Sequence, residues 1–450
     1  MSEGKRSSFT GSLGFILAAA GSAVGLGNLW RFPYLAAQYG GGIFLLVYVI
    51  LAVTFGFALM TTEIAIGRKT GTSVVKAYKA LDKRFSFLGY LAAIVPIIIF
   101  PYYSVIGGWV TKYIAVYATG NPAVSSDTFF GNFIAEPVEP LAWFAIFLIL
   151  TAIIVFLGVE KGIEKVGKFM MPILVVMIVG ITIYVLTLEN TMSGLYYYLV
   201  PDFSKFSPKT VLAALGQLFY SMSLAMGIMI TYGSYLKKDV NLNACVNQIE
   251  LFDTGIALFA GLMIIPAVAS FSGIKGMNQG PGLMFITLPK VFAQMPAGRM
   301  VGLAFFILVF FAAITSSISL METIISFAMD KFHVSRPKAC IVVLILAFII
   351  GIPSSLGNGV WSHITLLGKD FLSFFDFISN SVIMPIVAFL TCILVGWVLG
   401  TKFVVDEVKR GGCKFGREKL YVVLMKYIAP FCIIAILVFA VLEGLGIITV

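Results

Sequence analysis

Apolar side chains dominate this chain in runs of about twenty residues, separated by short polar stretches. Runs of that length cross a bilayer as helices, because backbone groups in lipid must bond within their own segment. The pattern predicts spans over 12–38, 42–68, 88–116, 139–157, 166–188, 210–236, 245–271, 300–330, 337–353, 372–399 and 421–447. That makes about eleven spans. Two further stretches, near 192–200 and 281–296, read as short outer helices or re-entrant loops, the second carrying Pro281-Gly282 and Pro289. Alternating ten-residue segments of the β-barrel kind do not occur. Met1–Thr10 is polar and no small-residue cleavage site follows a short apolar run, so the stretch from Leu13 reads as the first span.

Composition supports the all-helical membrane reading. The 450 residues are 60% hydrophobic and only 12% charged, against about 25% charged in soluble domains. The net charge of +10 would suit nucleic acid, but its distribution opposes that use. With the N-terminus inside, the inner loops hold Lys5, Arg6, Arg68, Lys69, Lys76, Lys79, Arg84, Lys161, Lys168, Lys237, Lys331, Arg336, Lys338, Arg410, Arg417 and more. The outer loops hold Lys205, Lys209, Lys275, Lys290, Arg299 and Lys369. This is the positive-inside bias of a cell-membrane protein with a cytoplasmic N-terminus, and an odd helix count puts the C-terminus outside. Cys245, Cys340, Cys392, Cys413 and Cys432 show no paired spacing, which reads as apolar filler rather than a disulfide or zinc framework. An enzyme is not indicated: His333 and His363 fall in loops on opposite sides, with no metal-ligand cluster or Ser/His/Asp set around them.

Two spans are interrupted. The first carries Gly21-Ser22-Ala23-Val24-Gly25-Leu26-Gly27-Asn28-Leu29-Trp30-Arg31, with three glycines and two costly polar side chains at membrane depth. The sixth carries Gln217-Leu218-Phe219-Tyr220-Ser221-Met222-Ser223-Leu224-Ala225-Met226-Gly227. They open two successive groups of five spans, and interruptions at corresponding places mark the midplane site of a transporter. An unwound helix frees carbonyls for a cation, and the following half-helix offers N–H groups to a carboxylate.

The stretch GSAVGLGNLWRFPYLAAQYGGGIF resembles the first helix and turn of the neurotransmitter:sodium symporter family. TTEIAIGR, PYYSVIGGW, QLFYSMSLAMGIMITYGSY and FFAAITSSISLMET extend the resemblance along the chain. It implies a LeuT-type fold of the shorter eleven-helix kind: inverted repeats over 12–188 and 210–399, an additional helix at 421–447, and helices 1 and 6 unwound at mid-membrane. The function implied is sodium-coupled symport of an amino acid by alternating access. Left open are a small amino acid or other carboxylated solute, a sodium-independent exchanger, and a channel or sensor. Asn28, Thr315 and Ser316 weigh against sodium independence.

The same resemblance implies two sodium sites. One takes Ala23, Asn28, Ser221 and Asp253, completed by the substrate carboxylate. The other takes Gly21, Val24, Ala312, Thr315 and Ser316. All are oxygen donors, as a hard cation requires. Asp253 stands where relatives often have Asn beside a chloride. Tyr48, Gln217 and Ser221 match three usual chloride ligands, but Asp253 brings its own charge, so chloride is not expected to be required. A proton taken up by the empty site would allow proton counter-transport.

The implied substrate pocket comprises Ala23, Gly25, Gly27, Ile99, Tyr103, Phe219, Tyr220, Ser221, Ser223, Met226, Ser316, Ser317 and Leu320. Gly25 leaves room for a carboxylate where amine carriers place Asp, and the mostly apolar lining suits a hydrophobic or aromatic side chain. Ala225 departs from the glycine common at its position, which leaves substrate size open. Arg31 and Asp376 are expected to close the outer side as an ion pair above Tyr103 and Tyr220. Arg6 and Asp330, supported by Tyr235, are expected to close the inner side, with Phe9 in place of a common Trp. Gly162 and Pro172 bracket either an inner element of helix five that unwinds or an ordinary helix start.

Overall fold

A computed structural model describes residues 8–273 and 281–444 of the chain. Among these residues the structure is helical, with only isolated bridges at Gly41–Pro201 and Leu366–Lys369. In chain order the helices used below are α1 (Ser12–Ala23), α2 (Gly27–Gln38), α3 (Gly42–Thr70), α4 (Val74–Leu81), α5 (Lys83–Thr119), α6 (Glu139–Phe156), α7 (Val159–Leu186), α8 (Met192–Leu199), α9 (Pro208–Ser221), α10 (Ile228–Gly233), α11 (Leu242–Phe271), α12 (Leu283–Gln294), α13 (Gly298–Phe332), α14 (Arg336–Leu356), α15 (Phe371–Val398) and α16 (Glu418–Leu442).

Among the described residues, nine helices are long and apolar enough to cross a bilayer, or ten if α1 and α2 form one bent span. The remaining predicted span, 210–236, is present as α9 and α10, each too short alone because the chain leaves the helix between them. The stretch near 281–296 is the apolar helix α12, too short to cross, and 192–200 contains the short α8. Helix α5 begins at Lys83, some residues before the predicted start at 88.

The first interruption follows from local composition. Helix α1 ends at Ala23, Val24 is extended at φ −74° and ψ 93°, and α2 leaves at 53° to α1. The second needs support from elsewhere. Ser223, Ala225 and Gly227 adopt φ values of 53°, 62° and 75°. Only the last is a glycine, and a side chain in this left-handed region costs about 1–2 kcal/mol. Two contacts hold the segment. Glu63 on α3 accepts the Ala225 N–H at 2.6 Å, and the Ser223 hydroxyl donates to the Ser22 carbonyl at 2.9 Å. A buried carboxylate thus takes up an N–H that the broken helix cannot satisfy. Helices α3 and α10 meet backbone to backbone, since a Cβ at Gly233 would collide with the Ile64 carbonyl.

Helix α1 packs against α7, α11 and α13, and α5 packs against α4, α6, α13 and α14. Both interruptions therefore face α13, with α5 closing the remaining side, and the space enclosed is the site.

Candidate functional site

Where α1 gives way to α2, the Asn28 side chain is fully buried and fully used. Its Oδ1 accepts the Gly25 N–H at 3.1 Å, while its Nδ2 donates to Asp253 Oδ1 at 2.8 Å and to the Asp253 carbonyl at 3.2 Å. Asp253 lies in the interior of α11 and is fully buried. Its Oδ2 accepts from the Ser221 hydroxyl at 3.0 Å. Ser221 has one proton, so Tyr48, 3.2 Å away, donates to it. The expected quartet of Ala23, Asn28, Ser221 and Asp253 is brought together. No Lys, Arg or His of the described residues lies within ion-pair distance of Asp253. A buried carboxylate without a cation is expensive, and a positive ion at these oxygens would neutralise it. Gln217 donates to the Gly27 carbonyl at 3.0 Å, and its buried Oε1 finds no partner.

The second expected quintet also converges. Ser316 on α13 reaches the carbonyls of Gly21 at 3.3 Å and Val24 at 3.4 Å, and Thr315 reaches that of Ala312 at 3.1 Å. These oxygens join the end of α1 to α13. The donor set is neutral and made of hard oxygens, the ligand type that hard cations favour. Among the described residues no group of His, Cys, Asp or Glu could hold a metal in the transition-metal manner.

Between the two oxygen clusters lies a small cavity of about 40 Å³. Of the expected pocket residues, Ala23, Gly25, Gly27, Ile99, Tyr103, Tyr220, Ser221, Ser223, Met226, Ser316 and Leu320 line it. A Cβ at Gly25 would sit 2.8 Å from Ser316 Oγ and 3.2 Å from Tyr103 Oη, so the missing side chain creates the space those hydroxyls face. Two expected residues turn away. Ser317 bonds Thr151 on α6 at 3.1 Å, and Phe219 packs on Phe55 and faces a separate outer cavity. Four lining residues were not foreseen: Ser22, Leu26, Ile228 and Ser319. The signal for Ser319 was present, since it and Leu320 follow Ser316 by three and four residues on one helical face.

The outer cavity is lined by Arg31, Phe219, Tyr220, Asp376 and Asn380, and Tyr220 forms a wall of both cavities. The expected ion pair is not formed here. Arg31 lies over the Tyr220 ring at 5.1 Å, while Asp376 accepts from Tyr102 at 3.0 Å and Asn380 at 2.6 Å. Each charge is held by neighbours on its own side of the cavity, which keeps the two apart.

On the inner side, Arg6 lies outside the described residues. Asp330 accepts the Ser73 N–H at 2.7 Å. Tyr235 donates to Glu322 at 2.7 Å, and Glu322 is paired with Arg336. Phe9 is buried edge-on against Phe15, Tyr232 and Tyr235. Beside it, Glu164 on α7 accepts the Thr10 N–H at 2.9 Å and the Thr10 hydroxyl, and pairs with Lys168 at 2.7 Å. Through Gly162 and Pro172 the helix is wound in this conformation, with a widened turn over Val159–Glu164.

The sequence profile of the sodium:neurotransmitter symporter family matches residues 6–125 and 133–445. An uncharacterized sodium-dependent transporter of Bacillus subtilis, YhdH, is 37% identical over 97% of this chain and 98% of its own. The human sodium- and chloride-dependent taurine transporter is 27% identical over 90% of this chain and 74% of its own. Among solved structures, MhsT in complex with L-phenylalanine superposes with a TM-score of 0.88 at 38% identity, covering 97% of this chain and 100% of that one. The chain belongs to the sodium:neurotransmitter symporter family and is a multi-pass helical membrane transporter of the LeuT-type fold, not an enzyme.

Proposed function

We propose that this transporter moves an amino acid with a mostly apolar side chain together with sodium, by alternating access. The observation that carries the reading is Asp253, a buried carboxylate without a basic partner among the described residues, set beside a small, mostly apolar cavity. A sodium ion among Ala23, Asn28, Ser221 and Asp253 supplies the missing positive charge and presents it to a substrate carboxylate in the space at Gly25, next to Tyr103. A second ion among Gly21, Val24, Ala312, Thr315 and Ser316 ties α1 to α13 and favours the state closed to the inside. Substrate completes closure at Tyr220, and loss of the second ion inward releases both ligands. The physical content is that each ligand binds one of two conformations better. The relatives' names support sodium dependence, and L-phenylalanine in MhsT supports a hydrophobic amino acid.

Under this reading residues 12–188 and 210–399 are inverted five-helix repeats and 421–447 is the added helix. The N-terminus is cytoplasmic and the C-terminus extracellular. Asp253 makes chloride unnecessary, although the human taurine relative is named as chloride-dependent. The test is uptake of labelled amino acids into proteoliposomes under an inward sodium gradient, with potassium or choline as replacement and gluconate in place of chloride. Sodium-driven accumulation of an apolar amino acid, equal in gluconate, is the expected result. Accumulation that ignores sodium, or that needs chloride, overturns the corresponding part.

A further inference from the structure

The cavity wall carries a group of hydroxyls that the two sodium sites do not use. Ser22 is in the last turn of α1, Ser223 in the break between α9 and α10, and Ser319 on α13. Ser22 Oγ lies 2.7 Å from Ser319 Oγ and 3.2 Å from Ser223 Oγ. The protons can be accounted for one by one. Ser223 donates to the Ser22 carbonyl at 2.9 Å, and Ser319 donates to the Ser316 carbonyl at 2.7 Å. Ser22 then has a single proton, which goes to Ser319 or to Ser223. Every hydroxyl hydrogen is then committed to the protein's own acceptors. Each hydroxyl also has two acceptor positions, and most of these stay open. All three serines line the cavity, and Ile99, Met226, Ile228 and Leu320 give it apolar lining.

We infer that this wall selects an amino acid whose side chain is apolar in bulk but donates one hydrogen bond. The inference rests on the amino-acid reading above and narrows it. A side chain that only accepts, such as a carboxylate, finds no donor in the group and is rejected. A purely apolar side chain suits the apolar lining but strips water from hydroxyl oxygens without replacing its bonds. A hydroxyl or ring N–H attached to an apolar body satisfies both kinds of lining.

The experiment uses pairs of equal shape that differ in the donor: threonine against valine, and tryptophan against its benzothienyl analogue, in which sulfur replaces the ring N–H. Sodium-dependent binding of each is measured on the purified transporter by displacement of one labelled amino acid. The expected result is a preference of about tenfold for the donor member of the pair that fits the cavity. In the double variant Ser22→Ala/Ser319→Ala the ratio collapses toward one. Equal binding within both pairs in the unaltered protein overturns the inference while leaving sodium-coupled amino-acid transport standing. A variant that loses all amino acids by the same factor also overturns it, because the group would then hold the ammonium common to every substrate. Absence of sodium-dependent binding for any amino acid removes the underlying reading, and this inference with it.

Discussion

Replacing Asp253 with Asn tests the electrostatics of the site with little change in shape. The native carboxylate accepts from Asn28 at 2.8 Å and from Ser221 at 3.0 Å, and has no basic partner among the described residues. Asn keeps one oxygen but removes the negative charge. At about 4 Å and an effective dielectric near 20, two unit charges attract by about 4 kcal/mol. Part of that attraction offsets the cost of burying the carboxylate, a cost the variant no longer carries. A net loss of about 1.4–3 kcal/mol in sodium affinity remains, a rise of about 10- to 150-fold in the sodium concentration giving half-maximal substrate binding. The amide also brings an N–H₂ group toward Asn28 and Ser221, so one of those bonds turns unfavourable. The assay is equilibrium binding of a labelled amino acid against sodium concentration, run in chloride and in gluconate. Loss of the charge should also make binding sensitive to chloride, because Ser221 stands beside the vacated negative position with Tyr48 bonded to it. Unchanged sodium dependence in a folded Asp253→Asn protein would refute the assignment of a sodium ion to this carboxylate.

Other outcomes follow from contacts already described. Gly25→Ala puts a methyl group 2.8 Å from Ser316 Oγ, and should abolish amino-acid binding while thermal unfolding in detergent stays near that of the parent. Glu63→Ala leaves the Ala225 N–H without its partner. It should cost about 1–3 kcal/mol, read as a lower midpoint of thermal unfolding, with Glu63→Gln recovering part of the loss. Glu407→Ala removes the carboxylate paired with the buried Arg68 at 2.8 Å and leaves that charge only carbonyl partners. It should destabilise by about 3–5 kcal/mol, seen as lower yield of monodisperse protein. Glu164→Ala removes the acceptor that holds Thr10, and should raise the labelling rate of a cysteine placed at Thr10, measured with a membrane-impermeant thiol reagent at the inner face.

Some of this structure was legible in the sequence for a simple reason: a polar or flexible residue inside an apolar run has to be accounted for. Asn28, Asp253, Ser316 and the glycines of the first span stood out against lipid-compatible neighbours, and these residues meet around one cavity. What was not legible depended on rotational phase. Successive residues of a helix point about 100° apart, so neighbouring positions divide between different walls. Tyr220 faces the cavity and Phe219 faces away from it; Ser316 faces the cavity and Ser317 bonds Thr151. A broken helix resets that phase, and no local pattern restores it. A second gap concerns charge. Arg68, Arg336 and Arg417 read as orientation signals in inner loops, yet each reaches a carboxylate: Glu407, Glu322 and Glu250. The positive-inside rule counts charges without asking what they touch, and these partners lie far along the chain or across a turn. Arg68 carries this furthest. Its guanidinium also donates to the Val240 carbonyl at 2.7 Å, so a single side chain ties the inner end of α3 to the segments before α11 and after α15. A residue that the sequence offers only as an orientation signal fastens the finished fold, and only the tertiary structure reveals that second role.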